Sequence, residues 1–300
     1  MGYKLVHVTG NTYYLDGAAK IGIIRNPEEP SRSIVVDTGL DDDAGRRLLK
    51  IMQENDMSVG AIINTHSHAD HCGGNSMVKG RTDCSIYAPP FEKGLIEYTG
   101  LEPFYLYSAY PPKEMENKFL KAKGTKVDRA VESGRQNILG VELDIVPLPG
   151  HMPGMIGVAS PDNVLFAGDS FFSPYLLEKH GIPYFTGIGE AISTLESLKH
   201  MGYDYYVPSH GDALASPGDI LDANIRVLEA NISYIAGICS VPLDREEIAA
   251  RLIGRYGINQ SISQYYLTVS TASAFLSHMT NQGILTAIFE DNRLKFMRQS

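Results

Sequence analysis

Short apolar runs that stop at polar, glycine-bearing turns organise the chain up to about residue 215, and helical spacing organises the remainder. Met1-Gly2-Tyr3-Lys4-Leu5-Val6-His7-Val8 alternates as a half-buried strand does, and Asn11-Thr12 and Asp16-Gly17 read as turns of a strand meander. Ala61-Ile62-Ile63-Asn64-Thr65 is a buried, β-branched strand. Gly73, Gly74 and Asn75 then break that strand and let a helix begin. Cys84-Ser85-Ile86-Tyr87 reads as another strand, as do the runs from Leu143 to Pro149, Asn163 to Ala167 and Tyr203 to Ser209, the last three with a glycine within the next two residues. From Ala88 to about Gly134 the pattern is neither strand nor long helix. Its prolines and its tyrosines (Tyr98, Tyr105, Tyr107, Tyr110) read as an insertion of short helices that could serve as a lid, a dimerisation surface or a small satellite core.

After Ala215-Ser216-Pro217-Gly218 the spacing changes. Residues 219–240 carry Ile220, Leu221, Ile225, Val227, Leu228, Ile232 and Ile235 at helical intervals. Asp244-Arg245-Glu246-Glu247 opens a second helix with an acidic cap and acids in its first turn. A third runs from about Ser263 to Thr280, and residues 284–297 form a hairpin around Asp291-Asn292. The expected division is therefore 1–218 as a catalytic domain, with 88–134 inserted, and 219–300 as a C-terminal helical, winged-helix-like region.

Composition narrows the class. Of 300 residues 43 % are apolar, enough for an ample core. No apolar run is long enough to span a bilayer, and the N-terminus lacks a signal-peptide core. Three sparse cysteines (Cys72, Cys84, Cys239) without pair spacing fit a reducing, cytoplasmic setting. The net charge of −9 disfavours nucleic acid as a partner, and residues 219–300 hold seven basic against eight acidic side chains. Lys113, Lys118, Lys121, Lys123, Lys126 and Arg129 outnumber Glu114, Glu116 and Asp128, which reads either as a solvated helix face or as a patch that draws anions toward a cleft.

The candidate chemistry lies in Thr65-His66-Ser67-His68-Ala69-Asp70-His71-Cys72-Gly73-Gly74, which places three imidazoles and one carboxylate within six positions. Neutral imidazole and carboxylate suit zinc, iron and similar divalent metals. His151, Asp169 and His210 each follow a strand-like run beside a glycine, so four loops of matching construction carry metal-ligating side chains. Cys72 abuts His71, yet a helix starting there would turn its side chain away. Phe171-Phe172, Pro174-Tyr175 and Tyr184-Phe185 read either as an apolar wall over the site or as ordinary packing.

On these residues the chain resembles the metallo-β-lactamase fold superfamily over roughly residues 3 to 215. The series HxHxDH, His, Asp, His is most similar to the glyoxalase II-like branch of binuclear hydrolases, and all seven ligand positions of that branch are filled. The resemblance implies that His66, His68 and His151 hold one metal, that Asp70, His71 and His210 hold a second, and that Asp169 bridges them. It implies an α/β (α+β) fold, a four-layer αββα sandwich, with the site at one edge of two packed sheets. Helices followed by a hairpin resemble the winged-helix tail of several hydrolases of this fold. The zinc β-lactamases with a cysteine ligand carry it where Asp169 stands here, which argues against β-lactam hydrolysis. Flavodiiron relatives carry Glu where His68 stands.

The expected cofactors are two divalent ions, zinc first, with iron or manganese accepted by the same ligands. Two cations about 3.5–4 Å apart can share a water, lower its pKa toward neutrality and polarise the oxygen under attack, so the nucleophile would be a metal-bridging hydroxide. Asp70, Asp169 and that hydroxide offset three of the four metal charges, which favours an anionic small-molecule substrate. Asp70 is the nearest carboxylate to the expected water and is read as catalytic, accepting a proton in a late step. The leading function is hydrolysis of a small ester, thioester or lactone. A phosphodiesterase or ribonuclease of the same fold, or a mononuclear iron enzyme resembling persulfide dioxygenases, are the alternatives. The insertion and the tail both allow a homodimer.

Overall fold

Side chains alternate across a strand, so each strand of a central sheet must find two apolar partners. In the computed structural model, which describes residues 3–29 and 31–299, that requirement builds the first part of the chain. Strands β1 (Lys4–Thr9), β2 (Thr12–Asp16), β3 (Ile21–Arg25) and β4 (Arg32–Val36) form an antiparallel meander. Met1 and Gly2, which open the first expected strand, lie outside the described residues. The sheet continues through α1 (Asp42–Glu54), β5 (Ser58–Ile63), α2 (Ala69–Cys72), α3 (Asn75–Lys79), β6 (Ser85–Ala88), α4 (Pro90–Glu97), α5 (Leu101–Tyr107) and β7 (Arg129–Ala130), its strands lying in sequence order. From β4 onward neighbours are parallel, which requires crossovers, and α1 to α5 supply them.

A second sheet contains β8 (Gly134–Ile138), β9 (Val141–Pro147), β10 (Ile156–Ala159), β11 (Val164–Gly168) and β12 (Tyr205–Pro208), antiparallel except for the parallel pair β11 and β12. Ile24, Ile34, Val36, Ala61 and Ile63 of the first sheet share a buried cluster with Ile145, Ile156, Val158, Phe166 and Val207 of the second. The alternate residues Ile21, Ile23, Val35 and Ile62 face the opposite way and pack with Leu48 and Met52 of α1, Val78 of α3 and Ile96 of α4. Each of these buried aliphatic side chains contributes about 1.5–3 kcal/mol relative to exposure.

The remaining elements are α6 (Pro174–His180), α7 (Ile188–Leu198), α8 (Gly218–Ile238), α9 (Arg245–Tyr256), α10 (Ile262–Asn281) and the hairpin β13 (Leu285–Glu290) with β14 (Arg293–Arg298). By their contacts the described residues divide into two compact units. The first contains the residues up to Leu148, Gly154–Phe171 and Gly202–Pro217, and the second contains Pro149–Pro153, Phe172–Met201 and the residues from Gly218. In the second unit Asp244 caps α9 through a reciprocal box with Glu247 and pairs with Arg293 at the start of β14. The hairpin turns at Asp291 and Asn292, with φ of 52° and 59°. No helix among the described residues is long and apolar enough to cross a membrane.

The insertion holds the expected short helices, α4 and α5, then a single 3-10 turn at Lys113–Met115. The lysine-rich stretch that follows has no helix, so it is not a helix face. Lys118, Lys121 and Lys123 pair with Asp41, Glu116 and Asp42 at 3.0, 3.1 and 3.7 Å, which neutralises part of the basic patch.

Candidate metal centre

Four strand ends of the first unit carry the polar side chains. Asp37 follows β4, the run Thr65–His71 follows β5, Asp169 follows β11 and His210 lies two residues past β12. Backbone bonds hold these ends together: Asp37 N–H donates to the Ile63 carbonyl at 3.0 Å, Ile156 N–H to Thr65 at 3.0 Å and Ser209 N–H to Gly168 at 3.0 Å. Clefts beyond the carboxyl ends of strands are where α/β folds place their sites. Gly168 takes φ of +55°, a conformation other residues adopt at a cost, so the chain can turn directly before Asp169. The helix expected after Gly73 and Gly74 is α3, and a further short helix, α2, precedes those glycines and carries Asp70 and His71. Those glycines end it, and a Cβ on Gly73 would overlap the Leu40 carbonyl.

The ligand atoms converge. His66 Nε2 lies 3.2 Å from His68 Nδ1. His71 Nε2 lies 3.3 Å from Asp169 Oδ1, and His210 Nε2 lies 3.2 Å from Asp70 Oδ2 and 3.5 Å from Asp169 Oδ2. One ligand atom each of His66, His71 and Asp169 lies within 4.8 Å of the others, and the same holds for Asp70, His71 and His210. His66, His71 and Asp169 are buried.

The outer nitrogens of these rings are anchored. His66 Nδ1 meets Thr65 Oγ1 at 3.0 Å, His71 Nδ1 meets Asp37 Oδ2 at 2.8 Å, and His210 Nδ1 meets the Ala18 carbonyl at 2.9 Å. In the second unit His151 Nδ1 meets the Tyr184 carbonyl at 2.8 Å, and Phe172, Tyr184 and Phe185 surround the His151 ring. A ring fixed in this way presents its other nitrogen in a defined direction, as a metal ligand must. This donor set and its anchoring fit a divalent metal.

Electrostatics couple the same groups. Burial works against the charged form of His71, but Asp169, Asp70 and Asp37 push it well above the usual imidazole range. Burial likewise opposes charge on His210, yet Asp169 and Asp70 push it up to about 10. Burial also opposes ionisation of Asp169 and Asp70, and the rings of His210 and His71 hold both well below the usual carboxylate range. A cation held by this cluster would take over the role of those protons.

The aromatic segment after Asp169 divides. Phe171, Phe172 and Phe185 are buried, whereas Tyr175 is 69 % exposed. Cys72 turns from the ligand atoms, as expected, and its thiol donates to the Ser67 carbonyl at 3.1 Å. Three acids absent from the sequence expectations also belong here. Asp37 is 2 % exposed and accepts from Thr65 N–H at 2.8 Å, Thr65 Oγ1 at 2.7 Å and His71 Nδ1. Its signal was an acid directly after the apolar run Ile34-Val35-Val36. Glu92 and Glu102, in the insertion, are buried, and nothing in their local pattern distinguishes them from surface acids of short helices.

A family model described as the metallo-beta-lactamase superfamily matches residues 17–210. The chain is 24 % identical over 245 residues to lactamase-like protein nscB of Aspergillus fumigatus, a match covering 81 % of this chain and 60 % of that protein. It is 28 % identical over 153 residues to hydroxyacylglutathione hydrolase of Pseudomonas fluorescens, covering 51 % and 47 %. The chain thus spans about half to three-fifths of the length of these curated relatives. Among solved structures, a metallo-beta-lactamase family protein of Thermus thermophilus superposes with a TM-score of 0.74 at 17 % identity, over 99 % of both chains. These matches and the mixed sheets with their helices establish the expected α/β sandwich fold.

Proposed function

This chain belongs to the metallo-beta-lactamase superfamily, and from that premise we propose that it is a binuclear metal-dependent hydrolase of a small ester, thioester or lactone. What supports the reading is the convergence of Asp70, His71, Asp169 and His210 on one centre, with the outer nitrogens of His71 and His210 anchored away from it. In this reading His66, His68 and His151 hold one ion, Asp70, His71 and His210 hold the other, and Asp169 serves both. Zinc is the first candidate, and iron or manganese suit the same ligands. When bound, two such ions would activate a water as nucleophile and polarise the oxygen under attack. The protein residues do the rest. Asp37 and Thr65 fix the His71 ring and the loop that carries it. Asp70 is 39 % exposed, unlike its buried chain neighbours, and in this reading also accepts a proton in a late step.

A relative named hydroxyacylglutathione hydrolase favours the thioester among the three bonds. The site keeps a net positive charge with two ions in place, which suits an anionic substrate. A cytoplasmic setting and a homodimer through the insertion or the tail belong to the same reading. The buried cysteines Cys72, Cys84 and Cys239, free of disulfides, accord with that setting.

Metal analysis combined with a panel of thioesters, lactones, phosphodiesters and a β-lactam tests the proposal. Two metals per chain with ester-type turnover is the expected outcome. One iron per chain with oxygen consumption would replace it with the dioxygenase reading, and cleavage of phosphodiesters alone with the nuclease-type reading.

A further inference from the structure

Two buried acids of the insertion lie against the loop that carries His66 and His68, and the proposed reaction uses neither. Glu92, on α4, is 0 % exposed. Its Oε2 accepts from Ser67 N–H at 3.0 Å and its Oε1 from Gly154 N–H at 3.1 Å. Ser67 stands between His66 and His68, so this carboxylate fixes the backbone from which both rings project. Glu102, on α5, is 8 % exposed, and its Oε1 lies 3.9 Å from His68 Nε2. Burying a carboxylate is costly unless a donor faces it, and the ring nitrogen that faces Glu102 is His68 Nε2.

His68 is oriented opposite to its partners. His66, His71, His151 and His210 each give Nδ1 to an anchor. In His68 it is Nδ1 that lies 3.2 Å from His66 Nε2, so its outer nitrogen is Nε2. A carboxylate facing the outer nitrogen of a ligand histidine is the usual arrangement for fixing its tautomer and raising its basicity. At 3.9 Å the two atoms face each other at more than hydrogen-bond length.

We propose that Glu102 and Glu92 are positioning residues of the metal centre: Glu102 holds His68 in the Nε2–H tautomer with Nδ1 presented as ligand, and Glu92 fixes the loop between His66 and His68. The insertion is then the outer support of the ion held by His66 and His68. The inference rests on the reading that these two histidines bind metal.

The test uses the full chain loaded with Zn(II) and challenged with graded chelator, with metal per chain measured at each step. The variants are Glu102→Leu, Glu102→Gln and Glu92→Gln, with Tyr110→Ser, 92 % exposed on the same insertion, as control. Glu102→Leu is expected to lose one of its two metals at about 10- to 100-fold lower chelator concentration while keeping the other. Glu102→Gln, which can still accept a hydrogen bond, should fall between it and wild type, and Glu92→Gln should weaken the same metal. Tyr110→Ser should match wild type. In metal-free 15N-histidine-labelled protein, Glu102→Leu should shift one ring from the Nε2–H form toward a mixture, a change that a general loss of packing would not confine to one ring. Wild type with two metals and a Glu102→Leu variant that holds both equally tightly, with an unchanged tautomer, would overturn the inference alone. Wild type that takes up no metal would overturn the binuclear reading, and the inference with it.

Discussion

Asp37 shows how much one residue can organise. It takes φ of 64° at the end of β4 and receives three hydrogen bonds, from Thr65 N–H, Thr65 Oγ1 and His71 Nδ1. Replacing it with Ala would leave the His71 ring and the Thr65 amide without their buried acceptor. The expected loss is about 3 kcal/mol of stability by chemical denaturation and about 10- to 100-fold in metal affinity by chelator competition. Wild-type affinity in that variant would show that the Asp37 contacts do not set the ring. The cysteines give a second measurement. Cys72, Cys84 and Cys239 are buried, and burial pushes the Cys239 thiol up to about 11. Only about one Cys239 in a thousand is therefore a thiolate at pH 8, and thiolate is the reactive form. A thiol reagent should label the native protein slowly at pH 8, with a rate that climbs as pH approaches 11, and label three cysteines per chain at once in denaturant.

At the scale of elements, helix ends and turns behave as local chemistry dictates. Asp244 caps α9 by accepting from Glu247 N–H at 2.8 Å, donates its own N–H to the Glu247 side chain at 2.9 Å, and also pairs with Arg293. Asp244→Ala should cost about 1–2 kcal/mol, read as a lowered denaturation midpoint, whereas Glu246→Ala on the exposed side of the same turn should cost little. The hairpin turn has both central residues left-handed, the type that Asn and Asp tolerate, so Asn292→Val should cost about 1–2 kcal/mol. The α9 cap, the long helices and this hairpin were legible in the sequence because their signals lie within a few residues of one another. β3 and β4 were not read. Gly22, Ile23 and Ile24, like Ser33, Ile34, Val35 and Val36, are buried on both faces, so these strands show no apolar-polar alternation. The lysine-rich stretch failed as a helix for the opposite reason: charge density marks exposure but not backbone conformation.

For the whole molecule, the charge of −9 and the partly neutralised basic patch predict that the full chain shows no tight, salt-sensitive binding to duplex DNA. A submicromolar Kd that weakens steeply with salt would overturn that expectation. Naming the candidate ligands needed only the sequence: clustered His and Asp at glycine-flanked strand ends point to a metal, so all seven candidates could be proposed from local pattern and family resemblance. The three acids behind them were not named, because Asp37, Glu92 and Glu102 meet their partners 25 or more residues away along the chain; Asp37 carries only the mark of an acid after an apolar run, and Glu92 and Glu102 carry none. The same limit governs the insertion. Its prolines and tyrosines announced short helices, but only the tertiary structure decided that two of its acids turn inward toward the His66–His68 loop. Local sequence determines which side chains can bind a metal. Burial and long-range contact determine which ring nitrogen faces the centre, because a tautomer is chosen by whatever lies on the far side of the ring.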